Sequence, residues 1–469
     1  MLKDEHTART HRSVRRHYLK SRRTGGMEPR KDPVLKRITK IAVSAVALAM
    51  PVALVLSGCS SDGGNGGGGD NGDDNTLTVW AWDPNFNIYA MKEAEKIYQK
   101  DHPDFKLDIV ETPWDDLQTK LTTLAQSQSF GELPDIFLTQ NNAFQKNVIN
   151  YPDLFSGLGD SGIDFSEFPK AVADYSTVDG VNYGVPFDSG TAIGAYRTDV
   201  LAEAGYTVAD FTDITWDDFL TKAKDVLAKT GKPLLSGQAG SSDMIMMMLQ
   251  SAGASLFDND GNPTIADNAA LEQAISTYTE LVKSGVFVEV NSWDEYIGTF
   301  VNGSVAGTIN GVWIVGSIQS AADQSGNWAV TNLPKLDGVP GATNYSANGG
   351  SSWAVSSNAN VELAEDFLKS TFAGSTELYD TILPKAGAVA NWIPAGGSSV
   401  YAQPSDFFGG QAIFADVVKF GASVPSNNTG VYYYEARDAV SAAITKIIGG
   451  ADPKDALAEA QSTVEFAMG

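Results

Sequence analysis

The residues best suited to chemistry fall in three short runs: Trp82-Asp83-Pro84-Asn85, Thr139-Gln140-Asn141, and the Asp188 of Phe187-Asp188-Ser189-Gly190. An indole face, two carboxylates and several amides and hydroxyls can together seat a ligand that has C–H faces and hydroxyl edges. The same inventory admits hydrolysis, because Asp83 and Asp188 would serve as acid and base if they flanked one glycosidic bond at roughly 5 Å or 6.5–9.5 Å. They come from unrelated loops, and no motif recommends them for that role. Each residue also has a plain structural alternative. Trp82 shares a strand face with Trp80 and can be core. Thr139, Gln140 and Asn141 can cap a helix, and Asp188 can be a turn acid beside Gly190, whereas Asp83 is harder to explain by packing. Histidine chemistry is nearly excluded, since His6, His11 and His17 lie far upstream and His102 is followed by Pro103. The run Asp258-Asn259-Asp260-Gly261-Asn262 has the look of a calcium loop, but its glycine comes one place early and position twelve would be Ala269, so a tight turn is expected. No cofactor or metal follows from this inventory.

The elements that must position these runs alternate. Leu77 to Trp82 reads as a strand, and residues 88–100 place Met91, Ala94 and Tyr98 on one helical face. Leu107 to Glu111 is the next strand, Leu117, Leu121 and Leu124 mark a second helix, and Asp135 to Thr139 is a third strand. A βαβαβ order demands a parallel sheet with right-handed crossovers, in which ligands bind beyond the carboxyl ends of the strands. Trp82 to Asn85 and Thr139 to Asn142 occupy those ends. Gly184 to Gly190 interrupts the pattern with Gly and Pro and reads as a crossing into a second lobe, before a strand-like Ala192 to Tyr196. Thr215-Trp216-Asp217-Asp218 is a capping sequence for a helix that turns Trp216, Phe219, Leu220, Ala223 and Leu227 inward. Ser242 to Ala252 is a further helix, with Met244, Met246, Met247 and Met248 as adaptable core filler. Helices over 269–283 and 293–302 and a strand over Val305 to Asn310 complete the middle of the chain.

Upstream of all this, an apolar run from Ile41 to Leu56 follows Lys36, Arg37 and Lys40 and ends in Leu54-Val55-Leu56-Ser57-Gly58-Cys59, which contains the only cysteine. Residues 1–58 therefore read as a signal peptide, with Met27 as an alternative start. The Leu-Ser-Gly-Cys end resembles the lipobox of bacterial lipoproteins, which implies a lipid on Cys59. Ser60 to Asn75 is too polar and glycine-rich to bury anything and reads as a flexible tether. Residues 1–58 hold 13 of the 33 Lys and Arg and 4 of the 57 Asp and Glu, leaving the remainder at about −33. Such acidity argues against nucleic acid as a partner and favours a monomer. The length beyond Cys59 calls for two domains held by packed cores, since no internal disulfide can form.

Several blocks, in order, resemble the extracellular sugar-binding proteins of bacterial ABC importers, the group that includes the maltose-binding protein. They are Leu77-Thr-Val-Trp-Ala-Trp82, Leu133-Pro-Asp-Ile136, Gly184-Val-Pro-Phe187 with Tyr196-Arg-Thr-Asp-Val200, Thr215-Trp-Asp-Asp218, Phe300-Val-Asn-Gly303 with Asn310-Gly-Val-Trp313, Asn348-Gly-Gly350, Ala364-Glu-Asp-Phe367 and Asp455-Ala-Leu-Ala458. The resemblance implies a two-lobed α/β fold of the periplasmic-binding-protein type II class, with a ligand cleft between the lobes. Residues 76–187 with about 346–400 would form one lobe, and 190 to about 345 with about 401–469 the other. It implies that the turn at Trp82, Asp83 and Asn85 reaches the ligand, that Trp313 after Asn310 stacks on a sugar ring, and that Tyr432-Tyr433 supplies another ring where the maltose-binding relative has tryptophan. Gly349 and Gly350 would let backbone approach the ligand, and Gln238 would contribute from the second lobe. Adjacent tyrosines also occur in iron-binding relatives, but no cleft histidine accompanies them here. The expected role is capture of a carbohydrate without catalysis and delivery to the permease subunits, from the outer face of the cytoplasmic membrane of a Gram-positive cell. A secreted glycosidase, a binding protein for another solute and a surface adhesin or sensor are the competing readings.

Overall fold

The computed structural model describes residues 75–469 apart from residue 259 and residues 426–428. The expected signal peptide, Cys59 and the expected tether up to residue 74 lie outside the described residues. From its start the described chain runs β1 (Thr76–Ala81), α1 (Asn87–Tyr98), β2 (Lys106–Glu111), α2 (Trp114–Ser127), β3 (Ile136–Gln140) and α3 (Asn141–Asn150). It continues through β4 (Gly184–Asp188), β5 (Ala192–Arg197), α4 (Trp216–Thr230), β6 (Leu235–Gln238), α5 (Asp243–Ser251), α6 (Ala269–Lys283), β7 (Phe287–Val290), α7 (Trp293–Val301), β8 (Gly307–Gly311) and β9 (Trp328–Thr331). Then come β10 (Ser351–Val355), α8 (Val361–Ser370), α9 (Thr376–Ala386), α10 (Tyr433–Ile448) and α11 (Pro453–Met468), with short helical turns between them.

The first sheet has the order β2-β1-β3-β10-β4. β1 is parallel to β2 and β3, as the alternation of elements requires, with Val79 facing Ile109 on one side and Ile136 on the other. β10 arrives from far along the chain and lies antiparallel between β3 and β4, placing Trp353 opposite Leu138 and Val185. Helices cover both faces, which is why β3 is apolar at successive positions: Ile136, Phe137 and Leu138 are all fully buried. One face packs on Met91, Ala94 and Tyr98 of α1 with Phe367 and Leu378 of α8 and α9; the other packs on Leu117, Leu121 and Leu124 of α2 with Phe144 of α3. Gly184 to Asp188, which the sequence pattern presents as an interruption, is itself a strand. It sits at the sheet edge, where the missing N–H of Pro186 costs no ladder bond.

The second core forms around β8-β5-β9, all antiparallel, and the parallel pair β6-β7. The Thr215 hydroxyl accepts from the Asp218 N–H at 3.2 Å and starts α4, which buries Trp216, Phe219, Ala223 and Val226, with Leu220 and Leu227 only partly covered. The four methionines of α5 are buried in this core beside Tyr278 and Phe287, and α10 and α11 close over it through Val440, Ile444, Leu457 and Val464. At Asp258 the expected turn is present: its carboxylate accepts the N–H groups of Asp260 and Asn262 at 2.9 and 2.8 Å.

Two segments cross side by side between these assemblies. Residues 189–191 pair with residues 346–348, the N–H of Asn348 donating to Gly190 O at 2.8 Å and that of Ala192 to Ser346 O at 2.9 Å. Gly190 has φ +65°, and a Cβ there would stand 2.3 Å from Asn348 O, so both its torsion and its neighbour demand glycine. Among the described residues no helix is long and apolar enough to cross a membrane.

Candidate functional site: the inter-lobe cleft

A pocket of the second lobe lies where β6 and β7 end. Gln238, Ser241, Asp243, Trp293, Tyr296 and Asn310 line it, floored by Met244, Met247 and Phe287. Trp293 opens α7, with Ser292 accepting the Glu295 N–H at 3.2 Å to fix the helix start. Its ring centroid lies 5.2 Å from Tyr296 and 5.8 Å from Trp313, a run of three rings. The Trp313 N–H donates to Asn348 O at 2.9 Å, so its donor is engaged within the protein. Asn310 is scaffold: its Nδ2 donates to the Tyr296 hydroxyl at 3.0 Å, and its Oδ1 accepts from Gly311 N at 2.9 Å and Asn348 Nδ2 at 2.8 Å.

A second group joins α10 to the first lobe. Arg437 donates to Asp243 at 2.7 Å and lies 5.7 Å from the ring centroids of both Trp114 and Tyr434. The Trp114 and Tyr434 rings are 5.6 Å apart. The Tyr434 hydroxyl donates to Gln140 Oε1, and Lys146 pairs with Glu435. The Trp114 N–H is buried without a partner, a donor in want of an acceptor. Burial pushes the Tyr433 phenol up to about 12, so it stays protonated and can donate.

The residues singled out from sequence divide by what already holds them. Trp82 is half-buried between the two cores of the first lobe. The Asp83 carboxylate accepts from Asn85 N at 2.8 Å and Phe86 N at 3.1 Å, organising the turn into α1, and burial raises its pKa against those bonds. That accounts for Asp83 without a ligand. Asn85 is exposed on the same turn. Thr139 is fully buried, its hydroxyl sealed from solvent and unpaired, while Gln140 reaches Tyr434. Asn141 starts α3 and braces β10 by accepting the Ser352 hydroxyl at 2.9 Å. Asp188 is buried against the Ser351 hydroxyl, and burial raises its carboxyl to about 6. Gly349 and Gly350 have φ +83° and +91° in the second crossing, where a Cβ on Gly349 would stand 3.4 Å from Trp313 Nε1. Tyr432 packs partly on the second core with Lys146 5.9 Å over its ring, and Tyr433 contacts Tyr434 edge-on at 5.3 Å.

Sequence reasoning passed over Trp114, Asp243, Trp293, Tyr296, Tyr434 and Arg437. A signal was present for two of them. Trp114 follows β2 in the first sheet and Trp293 follows β7 in the second lobe, strand-end positions of the kind that single out Trp82 and Gln140.

Residues 93–383 match the family described as bacterial extracellular solute-binding protein. The chain is 39% identical to the lactose-binding protein of Rhizobium radiobacter over 80% of its own length and 88% of that protein. Its fold is similar to a B. animalis subsp. lactis binding protein associated with an ABC transporter, solved with β-1,6-galactobiose (TM-score 0.71, 20% identity, 84% and 96% of the two chains). It is similar also to the galacto-N-biose/lacto-N-biose I-binding protein of Bifidobacterium longum, solved with lacto-N-biose (TM-score 0.68, 20% identity, 85% and 98%). The paired crossing segments between two α/β assemblies agree with these relationships, and membership of a family that binds solutes sets the hydrolase reading aside. By its sequence and by its two-lobed α/β architecture, the chain belongs to the bacterial extracellular solute-binding proteins.

Proposed function

We propose that this protein captures a neutral disaccharide carrying a galactosyl unit and presents it to the permease subunits of an ABC importer. The observation that carries the reading is the aromatic wall of Trp293, Tyr296 and Trp313, whose indoles offer apolar faces beside amide and carboxylate side chains. Galactose has one continuous C–H face and a hydroxyl edge, and such a wall suits both. The relatives add support, since their names and ligands include lactose, β-1,6-galactobiose and lacto-N-biose. Tyr433, Tyr434, Gln140 and Arg437 would close on the sugar from α10 and the first lobe. Residues 76–187 with about 346–400 move as one body in this account, and 190 to about 345 with about 401–469 as the other. In this account the protein acts as a monomer held to the outer face of the cytoplasmic membrane of a Gram-positive cell by a lipid on Cys59.

Titration calorimetry with lactose, galactobiose and lacto-N-biose, against maltose and mannitol, tests the assignment. Saturable heat with at least one galactosyl disaccharide, and unchanged sugar recovered afterwards, is expected. Heat with none of the sugars, or recovery of cleaved product, would overturn it.

A further inference from the structure

The first crossing segment, the second crossing segment and the aromatic wall are tied by one unbroken line of hydrogen bonds. Gly190 O accepts Asn348 N–H at 2.8 Å, and Asn348 O accepts the Trp313 indole N–H at 2.9 Å. The Asn348 side chain donates to Asn310 at 2.8 Å, Asn310 donates to the Tyr296 hydroxyl at 3.0 Å, and that hydroxyl shares a hydrogen bond with Thr308 in β8. Asn310 is 7% exposed and Tyr296 4%, so water cannot easily replace these partners. Sterics lock the line in register: a Cβ on Gly190 would meet Asn348 O at 2.3 Å, and one on Gly311 would meet Trp313 Nε1 at 2.1 Å and Asn348 O at 2.7 Å. Tyr296 stands in the cleft wall at one end, while Gly190 and Asn348 stand in the segments that must bend if the lobes move.

We propose that Asn348 and Asn310 are positioning residues that couple the aromatic wall to the two crossing segments, so that fixing the Trp313 and Tyr296 rings also fixes the hinge backbone. Asn310 need not touch the ligand, since both its functional ends are already engaged within the protein, and Asn348 acts through its donor to Asn310 and its backbone oxygen. A ligand that presses on the wall then stabilises one backbone arrangement of the crossings over the other, which is what closure by differential affinity requires. The inference rests on the proposed function for the identity of that ligand but not for the coupling itself.

Hydrogen exchange of the intact protein, read by mass spectrometry with and without lactose, tests it. Three variants serve: Trp313→Phe, which keeps a ring and loses the N–H, and Asn348→Ala and Asn348→Asp, which lose the amide donor. Each should speed exchange of residues 189–192 and 346–350 by about tenfold without any sugar, the change expected for one lost hydrogen bond, while β2 and α11 stay at wild-type rates. Asn348→Asp is matched in size, so the prediction stands even if the alanine variant folds poorly. With lactose, the wild type should gain protection in the crossings and in 291–296, and the variants only in 291–296. Unchanged exchange in the crossings without sugar, or a rise spread evenly over both lobes, would overturn the coupling. A wild type that gains no protection from lactose, with the sugar-free effect intact, supports the coupling and counts against the sugar assignment.

Discussion

Arg437 of α10 is held by Asp243 of α5 at 2.7 Å and rests 5.7 Å from the Trp114 ring of α2. One side chain thus belongs to the second core and touches the first. Its guanidinium is planar and forked, so it can stack between Trp114 and Tyr434 while keeping its carboxylate partner. Substituting Arg437→Ala leaves Asp243 without its ion pair and removes the stacked face. Both side chains are partly exposed, so the loss is discounted to about 1–2 kcal/mol, or about tenfold in Kd. Arg437→Lys keeps the charge without the fork and should recover only part of that loss. Calorimetry with the best disaccharide reads both; wild-type affinity in the two variants would remove Arg437 from the site.

Lys146 of α3 pairs with Glu435 of α10, and Gln140 accepts from Tyr434, so α10 is tied to β3 and α3 of the first sheet. Burial pulls the Lys146 ammonium below the usual lysine range. With roughly a quarter of each side chain exposed, the pair should contribute about 0.5–1 kcal/mol to this arrangement. Lys146→Glu and Glu435→Lys should each weaken binding by about two- to fivefold, and the double reversal should restore most of it. The wild-type advantage should shrink in high salt. A double variant no better than either single one would mean that the two side chains do not act as a pair.

Trp293 opens the aromatic wall and stands 5.8 Å from Trp313. Trp293→Ala should raise the Kd for disaccharide by about tenfold or more, because a stacked aromatic contact contributes about 0.5–1.5 kcal/mol beyond the area it buries. Trp293→Phe should retain much of the affinity. Trp293 is half-buried and packs only on the edge of its core, so melting temperature should move little in either variant. An unchanged Kd in the alanine variant would shift the sugar seat away from this wall.

The pattern of successes and misses in the sequence has physical causes. Local periodicity is enough for β1, β3, α1, α2 and α4, because each buries a stripe or run that repeats within a few residues, and for β2, where Leu107 and Ile109 alternate with more exposed neighbours. The place of β10 between β3 and β4 depends on pairing Trp353 with Leu138 and Val185, a relationship that no local pattern encodes. Pro186 misled for a related reason, since its strand is tolerated only by being at an edge. Asp83 is singled out because the resemblance places its turn at the ligand; the carboxylate's bonds to Asn85 and Phe86, which organise that turn, depend on a three-dimensional arrangement that the residue type alone does not reveal. Trp293 reads from sequence only as the first residue of a helix over 293–302, and its pairing with Trp313 depends on a contact 20 residues away that no local pattern encodes.

Asp188 gives the clearest pH test. It is 3% exposed, and burial lifts its carboxyl from 3.8 to about 6, although the Ser351 hydroxyl and the N–H groups of Ser351 and Gly190 offset part of that cost. A carboxyl that holds its proton more tightly folded than unfolded makes the folded state more stable at low pH. That stability is fully present below about 4 and is lost as pH rises toward and through about 6. A shift of roughly two units corresponds to about 3 kcal/mol between the extremes. Asp188→Asn keeps an acceptor for Ser351 and cannot ionise, so it should be more stable than wild type by about 1–3 kcal/mol above pH 7. The gain should vanish near pH 4. Other carboxylates titrate alike in both proteins, so denaturant unfolding at several pH values isolates this one in the difference. A gap between variant and wild type that stays constant from pH 4 to pH 8 would show that Asp188 is not the group carrying the cost.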